Sequence, residues 1–209
     1  CVSAHGQRDP VTLDVTTSGE LVCSINGQSA SDRVKVEFVK QPEYYTQRLT
    51  NGDLALKYIS ACGYDELNII PWKGCLISSV CRFCGVNSVA VKNPSDALHA
   101  AHLRSGALGW ESARAPYLKN LSESIDLALQ AECYSEHMHV ILISGNLPDD
   151  QLDQQADIYS DIAAHIKDQV ASKSTEGIIA VITPPHDLDR LDKLKRAGVT
   201  TVVFNLEVG

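Results

Sequence analysis

Apolar and polar residues alternate with a period of two through the opening of the chain. Leu13 and Val15 are flanked by polar neighbours, Leu21, Cys23 and Ile25 repeat the pattern, and Val34, Val36 and Phe38 oppose Lys35 and Glu37. A period of two places alternate side chains on opposite faces of a strand, and Ser18-Gly19 and Asn26-Gly27 supply turns between the runs. The pattern predicts a small antiparallel β-rich appendage over residues 1–45. A connecting segment follows over 46–66. Pro42 breaks the preceding strand, Asn51-Gly52 marks a turn, and Leu54 to Cys62 reads as a short helix ending at Gly63.

From Leu67 the pattern changes to short apolar runs separated by stretches of helical period. Leu67 to Ile70, Val140 to Ile143, Ile178 to Ile182 and Val199 to Leu206 are continuously apolar or nearly so, as strands buried on both faces are. Between them, Asn93-Pro94 and Pro116 read as helix starts, since proline suits the first helical position. Leu118, Leu121, Ile125 and Leu129 share one face of the second helix. From about Asp149 a third helix carries Leu152, Ala156, Tyr159, Ile162, Ile166 and Val170 on one stripe. Leu188, Leu191 and Leu194 form a short fourth helix, closed by Lys195, Arg196 and Gly198. Strands alternating with helices imply an α/β fold with a parallel sheet, whose ligands sit at the carboxyl ends of the strands. Those ends lead into a cysteine-rich segment, then Ser144-Gly145-Asn146, then Thr183-Pro184, then Asn205 and Glu207.

Composition narrows the function classes. Eighteen basic against 26 acidic residues give a net charge of −8, which argues against general nucleic-acid binding. No apolar run approaches the roughly 20 residues of a membrane-spanning helix. The chain has 209 residues and is 44% hydrophobic, enough for a packed core. Its seven cysteines cannot all pair internally, and a cytoplasmic, reducing compartment is the expectation.

Three of those cysteines fall within ten residues, as Cys75-x5-Cys81-x2-Cys84, between Gly74 and Gly85. Three thiolates on one loop can converge on a metal. A structural zinc site needs four protein ligands, so a distant cysteine or histidine would have to complete it. A [4Fe–4S] cluster normally takes four cysteines, and with three it keeps one iron open to a small molecule. Cys62 and Cys133 read as small buried hydrophobes, Trp72 as packing beside the cysteine loop, and the scattered histidines have no ligand-like spacing.

The cysteine triad with Phe83 before its last member, on a loop after the first parallel strand, resembles the radical S-adenosylmethionine (radical SAM) superfamily. Its first interval is five residues, whereas the superfamily's common interval is three. Ile143-Ser144-Gly145-Asn146 stands where that superfamily has a Gly-Gly-Glu stretch, with Asn146 in place of its second glycine. Phe204-Asn205-Leu206-Glu207 is similar to the Asn-Leu-acidic motif of the biotin-synthase and lipoyl-synthase branches, and Pro184-Pro185 with Ala197-Gly198-Val199 also fits. The similarity covers residues 67–209.

The resemblance implies a partial (βα) parallel barrel over residues 67–209, with Cys75, Cys81 and Cys84 as ligands of a [4Fe–4S] cluster. The open iron would chelate S-adenosylmethionine. The backbone of Ser144, Gly145 and Asn146 would hold its methionyl amino group, the backbone of Phe83 its adenine, and Asn205 and Glu207 its ribose. Reductive cleavage would yield a 5′-deoxyadenosyl radical that abstracts hydrogen from a small-molecule or peptide substrate. An electron donor such as flavodoxin or ferredoxin is the implied partner, with no membrane. The competing reading is a non-enzymatic α/β module with a structural zinc or an electron-transfer iron–sulfur site. Only four strands are counted from Leu67 to Leu206, and the chain starts at Cys1. The expectation is therefore a fragment, an incomplete catalyst whose last strand presents an open apolar edge.

Overall fold

The structure, a computed structural model, describes residues 11–25, 28–35, 40–62, 66–72, 74–76 and 107–204. The chain divides into two compact units, residues 1–41 and 42–209. In the first unit, β1 (Val11–Val15), β2 (Glu20–Ile25) and β3 (Gln28–Lys35) form an antiparallel sheet in chain order. Val11 pairs with Ile25 and Val15 with Leu21, so the register follows the alternation in the sequence. The β1–β2 turn closes through Gly19, at φ 76°, with its N–H donating to the Thr16 carbonyl at 3.0 Å. Val36 and Phe38 lie outside the described residues.

The second unit is an α/β assembly around a five-stranded sheet ordered β4-β5-β6-β7-β8. These strands are β4 (Ile59–Cys62), β5 (Glu66–Ile69), β6 (His139–Ile143), β7 (Ile178–Ile182) and β8 (Val199–Phe204). β5 to β8 are mutually parallel and follow in chain order, while β4 is antiparallel to β5. The described helices are α1 (Ala107–Leu129), α2 (Leu152–Ala171) and α3 (Asp189–Arg196). Among the described residues no helix is long and apolar enough to cross a membrane.

Two local expectations are corrected. Leu54 to Cys62 is not a helix. A single 3-10 turn at Ala55–Lys57 leads directly into β4, because Ile59 to Cys62 find hydrogen-bonding partners in Ile69 to Glu66 and Ile59 enters the core. Nor does Pro116 open a helix: it lies inside α1. A proline there removes one intrahelical hydrogen bond. The helix persists because Trp110 before it and Tyr117, Leu118, Leu121 and Ile125 after it are all buried. The helix start expected at Asn93-Pro94 lies outside the described residues.

One cluster joins the helices to one face of the sheet. Leu67, Ile69, Val140, Leu142, Ile178, Ala180, Ile182 and Val199 pack with Leu121, Ile125, Tyr159, Ile162, Ile166 and Leu194. Residues 42–62 also contribute, through Tyr44, Leu49, Tyr58 and Ile59. The alternate strand positions form the opposite face, where Asn68, Ile179 and Val181 are half-buried and Ile143 and Val203 exposed. β8 is poorly covered: Thr200, Thr201, Val203 and Phe204 are exposed.

Candidate functional site

Parallel pairing brings the carboxyl ends of β5 to β8 to one edge, and two of the loops leaving it touch. The β5 loop runs through Pro71 and Trp72 to Gly74 and Cys75, with Gly74 at φ 84°, a backbone region that favours glycine. The β6 loop runs from Ser144 to Leu147. The Leu76 N–H donates to the Asn146 carbonyl at 2.9 Å, joining the two. Gly145 sits directly on the cysteine. A Cβ added to it would meet the Gly74 carbonyl oxygen and stand 2.6 Å from the Cys75 Cβ and 2.8 Å from the Cys75 Cα. Only a residue without a side chain allows that approach.

Core side chains hold the β6 loop from beneath. The Trp72 indole N–H donates to the Gly145 carbonyl at 2.7 Å. The Tyr159 and Ser144 hydroxyls are 2.8 Å apart. Gln155 accepts from the Leu147 N–H at 2.9 Å and donates to the Asn146 side-chain oxygen at 3.2 Å. Trp72 and Tyr159 contact each other, with ring centroids 5.6 Å apart. Burial pushes the Tyr159 phenol well above its ordinary range, and the Ser144 hydroxyl and N–H pull it partly back. Tyr159 is therefore a neutral hydrogen-bonding group at any physiological pH.

Of the residues singled out in the sequence, Cys75, Ser144, Gly145 and Asn146 are brought together. Cys75 is half-buried, and Asn146 is buried with its carboxamide turned onto Gln155. Cys81, Cys84, Phe83, Asn205 and Glu207 lie outside the described residues. Among the described residues, no three histidine, cysteine or acidic side chains converge as a metal site. Cys133 lies at the margin of the core, half-buried, as a small hydrophobe would. Next along the edge, the His186 ring nitrogen contacts the Asp149 carbonyl at 2.8 Å and the Asp187 N–H donates to Asp153 at 2.9 Å. The Thr183 hydroxyl, just after β7, is buried with no hydrogen-bond partner among the described residues.

Sequence reasoning placed Trp72 beside this loop but gave no role to Gln155, and it read Tyr159 as plain core. The signal for Gln155 was present. It falls on the apolar stripe of α2, between Leu152 and Tyr159, where a polar side chain must find a partner when buried. Comparison with protein-family models, with curated proteins and with solved structures finds no match to this chain.

Proposed function

We propose that the chain carries the cluster-binding and S-adenosylmethionine-binding portion of a radical SAM enzyme. The observation that carries this reading is the seating of Gly145 on Cys75. Two motifs separated by about seventy residues in sequence meet at the carboxyl edge of a parallel sheet, where ligands of such sheets bind. The donor chemistry fits: three cysteines within ten residues of sequence leave one iron of a [4Fe–4S] cluster without a protein ligand.

What supports a partial barrel is the order of the strands. β5 to β8 succeed one another in a single direction, and the described helices share one core with one face of the sheet. Right-handed crossovers laid down in one direction curve a sheet around its other face, whereas doubly wound sheets reverse their strand order. That other face carries Ile141, Ile143, Ile179 and Val181 with Asn68 beside them, a largely apolar surface against which a substrate could lie.

In this reading Cys75, Cys81 and Cys84 hold the cluster. When bound, it supplies the electron for cleaving a carbon–sulfur bond of S-adenosylmethionine, and with it the oxidising power for hydrogen abstraction. The chain's own residues bind and orient. Ser144, Gly145 and Asn146 meet the methionyl group through their backbone, in a turn whose Gly145 carbonyl accepts from the Trp72 indole and whose Asn146 carbonyl accepts from the Leu76 N–H. Phe83 meets the adenine through its backbone, Asn205 and Glu207 meet the ribose, and flavodoxin or ferredoxin is the class of electron donor. Anaerobic reconstitution with iron and sulfide tests the reading. A brown protein with about four irons per chain is expected. A colourless protein that holds one zinc and refuses iron would overturn it.

A further inference from the structure

We infer that Trp72 and Tyr159 are positioning residues that hold the Ser144–Asn146 turn at its working distance from the Cys75 loop, an inference that rests on the function proposed above. The turn is gripped at successive residues. Tyr159 takes Ser144, Trp72 takes Gly145, and Gln155 takes both the side chain of Asn146 and the N–H of Leu147. All three gripping side chains are at most 1% exposed. A buried polar group costs free energy unless it is bonded, and a phenylalanine at position 72 or 159 would fill the core without that demand. Among the described residues, the polar ends of Trp72 and Tyr159 meet the turn.

Trp72 has the further property of belonging to both loops. Its backbone lies three residues before Cys75, while its indole N–H ends on Gly145. One side chain therefore sets the spacing between the cluster-bearing segment and the cofactor-binding turn. Tyr159 braces that indole through ring contact and reaches the neighbouring residue of the turn. Such a brace organises the turn before a ligand arrives, so its loss appears as weaker ligand binding while the cysteine ligands stay in place.

The test uses Trp72→Phe and Tyr159→Phe, each of which keeps a ring in the core and removes one hydrogen-bonding group. Each reconstituted variant is measured for iron content and, per iron-loaded chain, for equilibrium binding of S-adenosylmethionine. Wild-type iron content with about five- to tenfold weaker S-adenosylmethionine binding is expected, since one net hydrogen bond is worth on the order of a factor of ten. A double-mutant cycle with Ser144→Ala separates positioning from general support. Tyr159→Phe should add little in the Ser144→Ala background, whereas full additivity would overturn the assignment for Tyr159. Wild-type affinity in both single variants at equal iron loading would overturn the inference as a whole. A wild-type chain that binds neither iron nor S-adenosylmethionine would instead overturn the function beneath it. Should Trp72→Phe fail to fold, the Tyr159–Ser144 cycle still decides.

Discussion

Replacing Gly145 by alanine places a methyl group where backbone already stands. Gly145 is not among the positive-φ glycines, so the obstacle is space and not conformation. The new Cβ would lie 2.6 Å from the Cys75 Cβ and 2.8 Å from its Cα, against ordinary carbon–carbon contacts of about 3.5–4.0 Å. Neither of those atoms, nor the Gly74 carbonyl, can rotate aside, so the two loops must separate by about 1 Å. Overpacking of this kind costs roughly 1–3 kcal/mol. Separation also stretches the Leu76 N–H bond to Asn146, at 2.9 Å, and pulls Gly145 from the buried Trp72 N–H, now at 2.7 Å. An orphaned buried donor adds about 1–3 kcal/mol. Together these give a destabilisation of about 2–6 kcal/mol, which at about 2–4 °C per kcal/mol for a unit of this size is roughly 4–24 °C in melting temperature. Thermal denaturation followed by circular dichroism measures it. Gly52→Ala is the control: at φ 86°, with no atom of the described residues within 4 Å of the added Cβ, it should cost only about 1–2 kcal/mol of left-handed strain. If Gly145→Ala melts no lower than Gly52→Ala, the two loops are not in contact and the site as described does not exist.

Other outcomes follow from other residues. Cys75→Ala should abolish iron binding, whereas Cys23→Ala and Cys133→Ala should leave iron content at the wild-type level, by colorimetric iron and sulfide assay. Burial by itself would raise Asp53, but hydrogen bonds from Tyr58, Lys57 and Asn51, with the Lys57 charge, outweigh it and hold the carboxyl below its ordinary value. Its stabilisation is therefore present above the unfolded-state value and lost as pH falls through the folded one. Asp53→Asn should accordingly flatten the decline in urea midpoint below about pH 4. Burial, then the hydrogen bond to Asp53, pushes Tyr58 up to about 12. The stability tied to its neutral phenol is complete below about pH 10 and lost as pH rises toward that value, a limb that Tyr58→Phe should remove. Pro116→Ala, at an exposed position within α1, should raise the melting temperature by restoring a helical N–H donor, and a lower value would show that the proline is needed where it stands.

The parallel strands were legible because continuously apolar runs such as Val140 to Ile143 and Ile178 to Ile182 have no other stable use in a chain that alternates with helices. The stripe of α2 was equally plain, since every one of its six predicted apolar positions is buried. β4 was not legible. Ile59 to Cys62 has no period of its own, and its strand state comes from pairing with β5. Pro116 misled for a related reason, because burial of Trp110 and Tyr117 on either side outweighs one missing hydrogen bond. At the site, clustering of cysteines singled out Cys75, while Ser144 to Asn146 were singled out by their place after a predicted parallel strand and by the radical SAM resemblance. The indole and phenol that hold the turn are ordinary core residues until the fold shows where their polar atoms end.

The central claim is that S-adenosylmethionine meets an iron–sulfur cluster held by Cys75, Cys81 and Cys84. The most direct measurement is electron paramagnetic resonance of the anaerobically reconstituted, dithionite-reduced chain, recorded before and after S-adenosylmethionine is added. The expected result is the signal of a reduced [4Fe–4S] cluster whose g values shift on addition, with neither signal nor shift in Cys75→Ala. A cluster signal that ignores S-adenosylmethionine at saturating concentration would contradict it.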